Sequence, residues 1–184
     1  MRSIRTPLLW ASVAVALMAT LSAVWVARHR GAAEMETMKA YLLDGFQRAK
    51  AWDVSLVEAI PDSAMRWAPT EGMRDFAQQV AHAANNLFIA RAVFGQSGPD
   101  LLSESDDSLL SDKGALMEEV VAAYDWIINR LDSMPASALA EPTDEGSPRW
   151  RMCVFALEHA MWTRGQLVPY LHAHGVTVPL QRLF

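Results

Sequence analysis

The chain has 184 residues, 52% of them apolar and 20% charged, with a formal charge of −5. This is enough material for one domain with a core, and it excludes a disordered polyelectrolyte. Residues 1–30 hold four Arg and no acid, so residues 31–184 carry 12 basic and 21 acidic groups, a net of −9. A body of that charge repels phosphate backbones, which excludes nucleic acid as a partner.

From Thr6 to Ala27, 22 residues pass without a charge. As a helix this run spans about 33 Å, the thickness of a bilayer's hydrocarbon core. Arg2 and Arg5 precede it; Arg28, His29 and Arg30 follow. One reading is a single-pass anchor. The other is a cleaved secretory signal, with small residues at Leu21-Ser22-Ala23 or Gly31-Ala32-Ala33 as cleavage points. The run exceeds the roughly 7–15 apolar residues of a signal peptide, which favours the anchor. The flanking charges place the N-terminus in the cytoplasm and the body on the periplasmic or other extracytoplasmic side. Residues 1–30 are therefore set apart as anchor or signal, and residues 31–184 as the folded domain.

That domain shows helical periodicity and no strand-like alternation, so it is expected to be all-α. The first helix covers about Glu34 to Ile60, with a stripe of Met35, Met38, Leu42, Phe46, Ala49, Leu56 and Ile60 that also contains Asp53. Pro61-Asp62 ends it. The second runs from about Asp75 to Phe94, with Phe76, Val80, Ala83, Leu87 and Phe94 on one face and Gly95 as its stop. Residues 96–111 form a Ser- and Asp-rich linker. The third covers about Asp112 to Met134, with Ser111 or Asp112 as N-cap and Leu116, Val120, Tyr124, Ile127 and Leu131 as its stripe. The fourth starts at Ser147-Pro148, proline taking the first helical position, and runs to about His174 before Gly175. It is apolar almost all round, so a largely buried helix is expected. Four such helices fit a four-helix bundle, and the 16-residue linker suits a crossover connection.

The lone Cys153 excludes an internal disulfide and any Cys-rich zinc site. No phosphate-binding glycine loop, nucleophile elbow or HExxH motif is present. On the fourth helix His159, Thr163 and Gln166 interrupt an apolar face at i, i+4 and i+7, so they line up. A histidine there is either a hydrogen-bonded core group or a ligand or acid/base in a bundle cavity. His82 on the second helix has Asn85 and Asn86 beside it and Ile89 and Val93 near its side; it reads as solvated or as functional. Asp53 needs solvent, a cation or a site, because an unpaired buried carboxylate is costly. His172 and His174 lie about 20 Å from His159 along the helix and are accounted for by the dipole at its C-terminus.

Two stretches carry a family resemblance. One is Trp67-Ala68-Pro69-Thr70-Glu71-Gly72 followed by Phe76-Ala77-Gln78-Gln79-Val80-Ala81-His82-Ala83. The other is Leu157-Glu158-His159-Ala160-Met161-Trp162-Thr163-Arg164-Gly165-Gln166-Leu167, with Tyr170-Leu171 and Gly175 to Pro179 after it. In order and spacing the chain resembles the DinB-like superfamily over about residues 38–180. The resemblance implies a four-helix bundle with a crossover. It also implies a divalent metal (zinc, nickel, iron or manganese) held by three histidines, one matching His82 and two matching His159 and position 163. Some relatives are thiol transferases and others look like metal-dependent hydrolases. Here position 163 is Thr163, a poor ligand at neutral pH, so a carboxylate such as Asp53 or Glu71 would have to complete a site, or no metal is bound. Gln166, Arg164 and Trp162 are the candidates to meet a substrate. Two functions follow: a binding or interaction module held at the membrane, and a metal-dependent thiol transferase or hydrolase acting on a small molecule. Bundle faces allow a homodimer, although no feature specifies one.

Overall fold

The computed structural model describes the backbone of residues 5–85, 87–95 and 103–179, and side chains within it except those of 5–16, 27, 87, 88, 90 and 91. Among the described residues the chain is all-α, with seven α-helices, two 3-10 turns and one isolated bridge between Pro142 and Pro148. The α-helices are α1 (Arg5–Ala59), α2 (Phe76–Ala84), α3 (Leu87–Phe94), α4 (Asp107–Ser111), α5 (Lys113–Ser133), α6 (Arg149–Gly165) and α7 (Val168–Ala173).

The first expected helix is longer than its apolar stripe suggests. α1 runs for 55 residues, about 82 Å at 1.5 Å per residue, and no loop separates residues 5–30 from the domain. Its described N-terminal part leaves Leu21, Val24 and Trp25 exposed. The expected membrane segment, residues 6–27, lies largely outside the described side chains; among the described residues no helix is long and apolar enough to cross a membrane. Burial begins with Leu42 and follows the expected stripe through Phe46, Ala49, Leu56 and Ile60. Lys39 Nζ donates to the carbonyls of Asp132 (2.6 Å) and Met134 (2.9 Å), closing the C-terminus of α5 against α1.

Two of the four expected helices are broken. The second stops at Asn85, whose ψ of 110° leaves the helical region, and resumes as α3. The fourth stops at Gly165 and resumes as α7. Pro169 explains this interruption: it has no N–H to bond back, and its ring crowds the carbonyl four residues earlier. Helix starts follow capping chemistry. Asp75 and Gln78 form a reciprocal capping box on α2, and the Asp112 carboxylate accepts from Ala115 N on α5. Ser147 does not cap α6; the helix begins one residue later, with Pro148 at the N-cap and no side-chain cap. The linker expected to be irregular contains α4, capped by Asp106; residues 96–102 lie outside the described ones.

α1 packs along α5 and α6, and α2 and α3 pack on α6. The stripe expected on the third helix is buried in full, from Leu116 to Leu131. Each such large apolar side chain contributes about 1.5–3 kcal/mol on burial. At Gly45 the helices α1 and α6 come so close that an added Cβ would lie 2.8 Å from Leu157 Cδ1. The expectation that the last helix is largely buried fails on one side: Phe155, Met161 and Trp162 are exposed. α6 is covered by α1, α2, α3 and the second 3-10 turn.

Candidate functional site

α2 and α6 bring His82 and His159 together, with ring centroids 5.1 Å apart and planes at 68°. The Nδ1 of His82 lies 2.6 Å from Oε1 of Glu104, and the other carboxylate oxygen accepts from Arg74 Nε at 2.6 Å. Partial burial raises the Glu104 pKa, but the hydrogen bonds from Arg74 and His82 outweigh it and hold the carboxyl below its ordinary range. An ionised carboxylate only accepts, so His82 carries its proton on Nδ1 and turns Nε2 away from Glu104. The scaffold behind this pair is itself tied down. Tyr170 Oη donates to the Arg74 carbonyl at 2.7 Å, and Gln78 Nε2 donates to the Glu104 carbonyl at 3.1 Å. His159 is an exposed residue, yet desolvation of its ring, then the charges of His82 and Arg74, lower its pKa. It is therefore a neutral imidazole at pH 7.

Two cavities meet at this pair. The larger, about 500 Å³, is walled by Phe46, Ile89, Tyr124, Phe155 and Ala156 and ends at His82, Glu104 and His159. The smaller, about 340 Å³, holds Arg74, Gln79, Glu158, Trp162, Thr163 and Gln166. His82, Phe155 and His159 belong to both walls.

The candidates named from sequence separate into two groups. His82, His159, Thr163, Gln166 and Trp162 all reach the cavities. Trp162 is 75% exposed at the edge of the smaller one. Gln166 Oε1 accepts from Gln79 Nε2 at 2.9 Å. Thr163 is buried, and its hydroxyl donates to the His159 carbonyl at 3.0 Å. Arg164 and Asp53 are elsewhere. Asp53 is fully buried, accepting from Arg164 Nε at 2.7 Å and from Tyr124 Oη at 2.6 Å. The Arg164 guanidinium also lies over the Trp52 ring, 5.1 Å from its centroid. Arg164 is thus an internal partner of Asp53, not a substrate contact, and Asp53 is not available as a ligand beside the histidines. Glu71 is exposed in the loop before α2 and reaches neither wall. Cys153 is buried, which pushes its thiol up to about 12 and makes it inert. His174 packs edge-on against Trp67 with centroids 4.8 Å apart, and His172 is exposed; neither approaches the pair.

Arg74 and Glu104 were not legible as site residues. Glu104 sits in a linker with no periodicity to place it, and Arg74 precedes the helix start. The Asp53 network underlies the site, because Tyr124 lines the larger cavity and donates to Asp53. Burial and the nearby Asp53 charge raise the Tyr124 pKa well above the ordinary value, so its hydroxyl stays a donor.

A resident three-histidine metal does not fit this donor set. Position 163 offers a hydroxyl whose proton is already committed to a carbonyl, and the nearest carboxylate, Glu104, has both oxygens engaged. Among the described residues no three His, Cys, Asp or Glu side chains are grouped to hold an ion. Two imidazoles alone fall short of the usual three or four protein ligands.

No curated protein matches the chain. Among solved structures, a DinB-like protein from Bacillus cereus ATCC 10987 superposes with a TM-score of 0.66 at 12% identity, covering 77% of this chain and 95% of that one. At that identity the likeness concerns the fold. A sequence profile of the DinB superfamily matches residues 46–167, a span that begins on the buried face of α1, takes in both histidines and ends at Leu167. That match covers most of the domain, and with it the all-α fold just described is accounted for: the chain belongs to the DinB superfamily.

Proposed function

We propose that this chain is a binding module held at the membrane, with residues 6–27 as the anchor and the domain on the extracytoplasmic side, and that its ligand is a small molecule seated in the larger cavity. The observation that carries this reading is the cavity itself. At about 500 Å³ it falls within the range of ligand pockets, and its apolar wall ends in a small set of polar groups. The uncharged run of residues 6–27 and the exposed apolar side chains of α1 support the anchor. The competing reading, a metal-dependent thiol transferase or hydrolase, would need a third donor that the site does not supply.

Location is tested by carbonate extraction of expressing cells. The full chain is expected in the membrane pellet, and recovery in the soluble extract would refute the anchor. Binding is tested by isothermal calorimetry on the full chain in lipid nanodiscs, with 4-phenylbutan-1-ol as probe and empty nanodiscs as blank. Saturable uptake is expected. Ala156→Trp, which fills the wall, should weaken it at least tenfold, and Ala160→Leu, a smaller intrusion, should weaken it less. Undiminished affinity in both variants would overturn the assignment of the cavity.

A further inference from the structure

We propose that the ligand is a monocation with an apolar body, an ammonium whose head rests in the smaller cavity between Glu158, Trp162 and His82 and whose body passes into the larger one. This deepens the reading of the larger cavity as a ligand pocket and rests on it. Hydrogen-bonding capacity alone does not choose the head, because both kinds remain. Donors are left on the two Nη groups of Arg74, whose Nε is taken by Glu104, and on the Gln166 amide, whose oxygen is taken by Gln79. Acceptors are left at Nε2 of His82, whose Nδ1 faces Glu104, and on Glu158, which has no hydrogen bond or ion pair among the described residues. Asn85, in the wall of the larger cavity, already has a partner.

Charge makes the choice. Arg74 is the only permanently cationic side chain in either wall, and it is engaged by Glu104 at 2.6 Å. Glu158 remains, so the walls are net negative before a ligand enters. The domain around them, with 12 basic and 21 acidic groups, draws a cation from a distance. Desolvation, then the charges of His82 and Arg74, lower the His159 pKa, so positive charge is disfavoured at that ring and belongs on the Glu158 side.

α6 offers a seat there. Glu158 and Trp162 are four residues apart, on one face of the helix. Trp162 is 75% exposed, and its ring meets no other ring or cation among the described residues. The carboxylate would take the charge of an ammonium, and the indole face would add a cation–π contact. The third side is the His82 Nε2 lone pair, an acceptor because Nδ1 carries the proton. His82 and Phe155 belong to both walls, so a body attached to this head passes over them into the apolar cavity. A carboxylate head would meet Glu158 instead, and a neutral head would leave it unpaired.

The test compares three probes of one shape on the full chain in nanodiscs of zwitterionic lipid: 4-phenylbutylammonium, 4-phenylbutan-1-ol and 4-phenylbutyrate, by isothermal calorimetry at neutral pH against empty nanodiscs. The ammonium is expected to bind about tenfold tighter than the alcohol, the scale of one exposed ion pair plus one cation–π contact, with the carboxylate weakest. Glu158→Gln should bring the ammonium down to the alcohol's affinity, and Trp162→Leu should remove part of the difference. Both residues are exposed, so both variants should keep the wild-type unfolding temperature. An ammonium bound no tighter than the alcohol would overturn the cationic head and leave the pocket standing. An unaltered preference in Glu158→Gln would overturn the seat on α6. Binding of none of the three would overturn the pocket reading along with it.

Discussion

Replacing Asp53 by alanine is expected to destabilise the protein by about 3–5 kcal/mol, the range for removing one partner of a buried ion pair. Asp53 has no exposed surface, and Arg164, nearly as buried, depends on it for two hydrogen bonds. Without the carboxylate a guanidinium is left in the core with the Ala49 carbonyl, the Tyr124 hydroxyl and the Trp52 ring. For a chain of this size the loss corresponds to about 6–20 °C in unfolding temperature, readable by tryptophan fluorescence of the full chain. The double replacement Asp53→Leu, Arg164→Met should recover most of the loss, because an apolar pair of similar volume removes the orphaned charge. An unfolding temperature for Asp53→Ala equal to wild type would show that the pair contributes nothing. Tyr124 spans this network and the cavity wall, so the same variant is expected to weaken ligand binding as well.

The second large effect concerns a metal. Wild-type protein incubated with zinc and dialysed is expected to retain well under one equivalent, since His82 and His159 are two imidazoles without a third protein donor. Thr163→His would supply an imidazole one helical turn from His159, in the wall that already contains both histidines. We expect this exchange to tighten zinc binding by about 100-fold or more, at or beyond the 10–100-fold scale on which a lost second-shell partner acts. Competition with a chromophoric chelator measures it. Wild-type protein that keeps one equivalent of zinc, lost in His82→Ala, would instead show a working two-histidine centre.

Much of the fold was legible because helices announce themselves by period. The stripes on α1 and α5 were read residue by residue, and their burial follows them. What failed depended on single backbone positions. Asn85 carries no sign that it leaves the helix, and Pro169 lies inside an otherwise helical run whose apolar content masks the interruption. Counting apolar residues around α6 overstated its burial, because composition does not say how many neighbours a helix has. The histidine pair was legible from the family resemblance, and the face shared by His159, Thr163 and Gln166 from spacing alone. Glu104 was not, since the carboxylate that fixes His82 comes from a linker distant in sequence. Asp53 was recognised as needing a partner, but which of solvent, cation or site it takes is a tertiary fact, decided by Arg164 arriving from 111 positions away.

With residues 6–27 as the proposed anchor, the unbroken α1 would have a mechanical consequence for the domain. Between Arg28 and the first fully buried residue, Leu42, the chain stays helical with no hinge. The domain's azimuth is then geared to the buried segment: each residue added to or removed from this shaft turns the cavity mouth by about 100° and moves it by about 1.5 Å. A tilt of such an anchor would likewise be transmitted to the domain. The direction in which the cavity opens, towards the lipid surface or away from it, is thus written in the number of residues in the shaft.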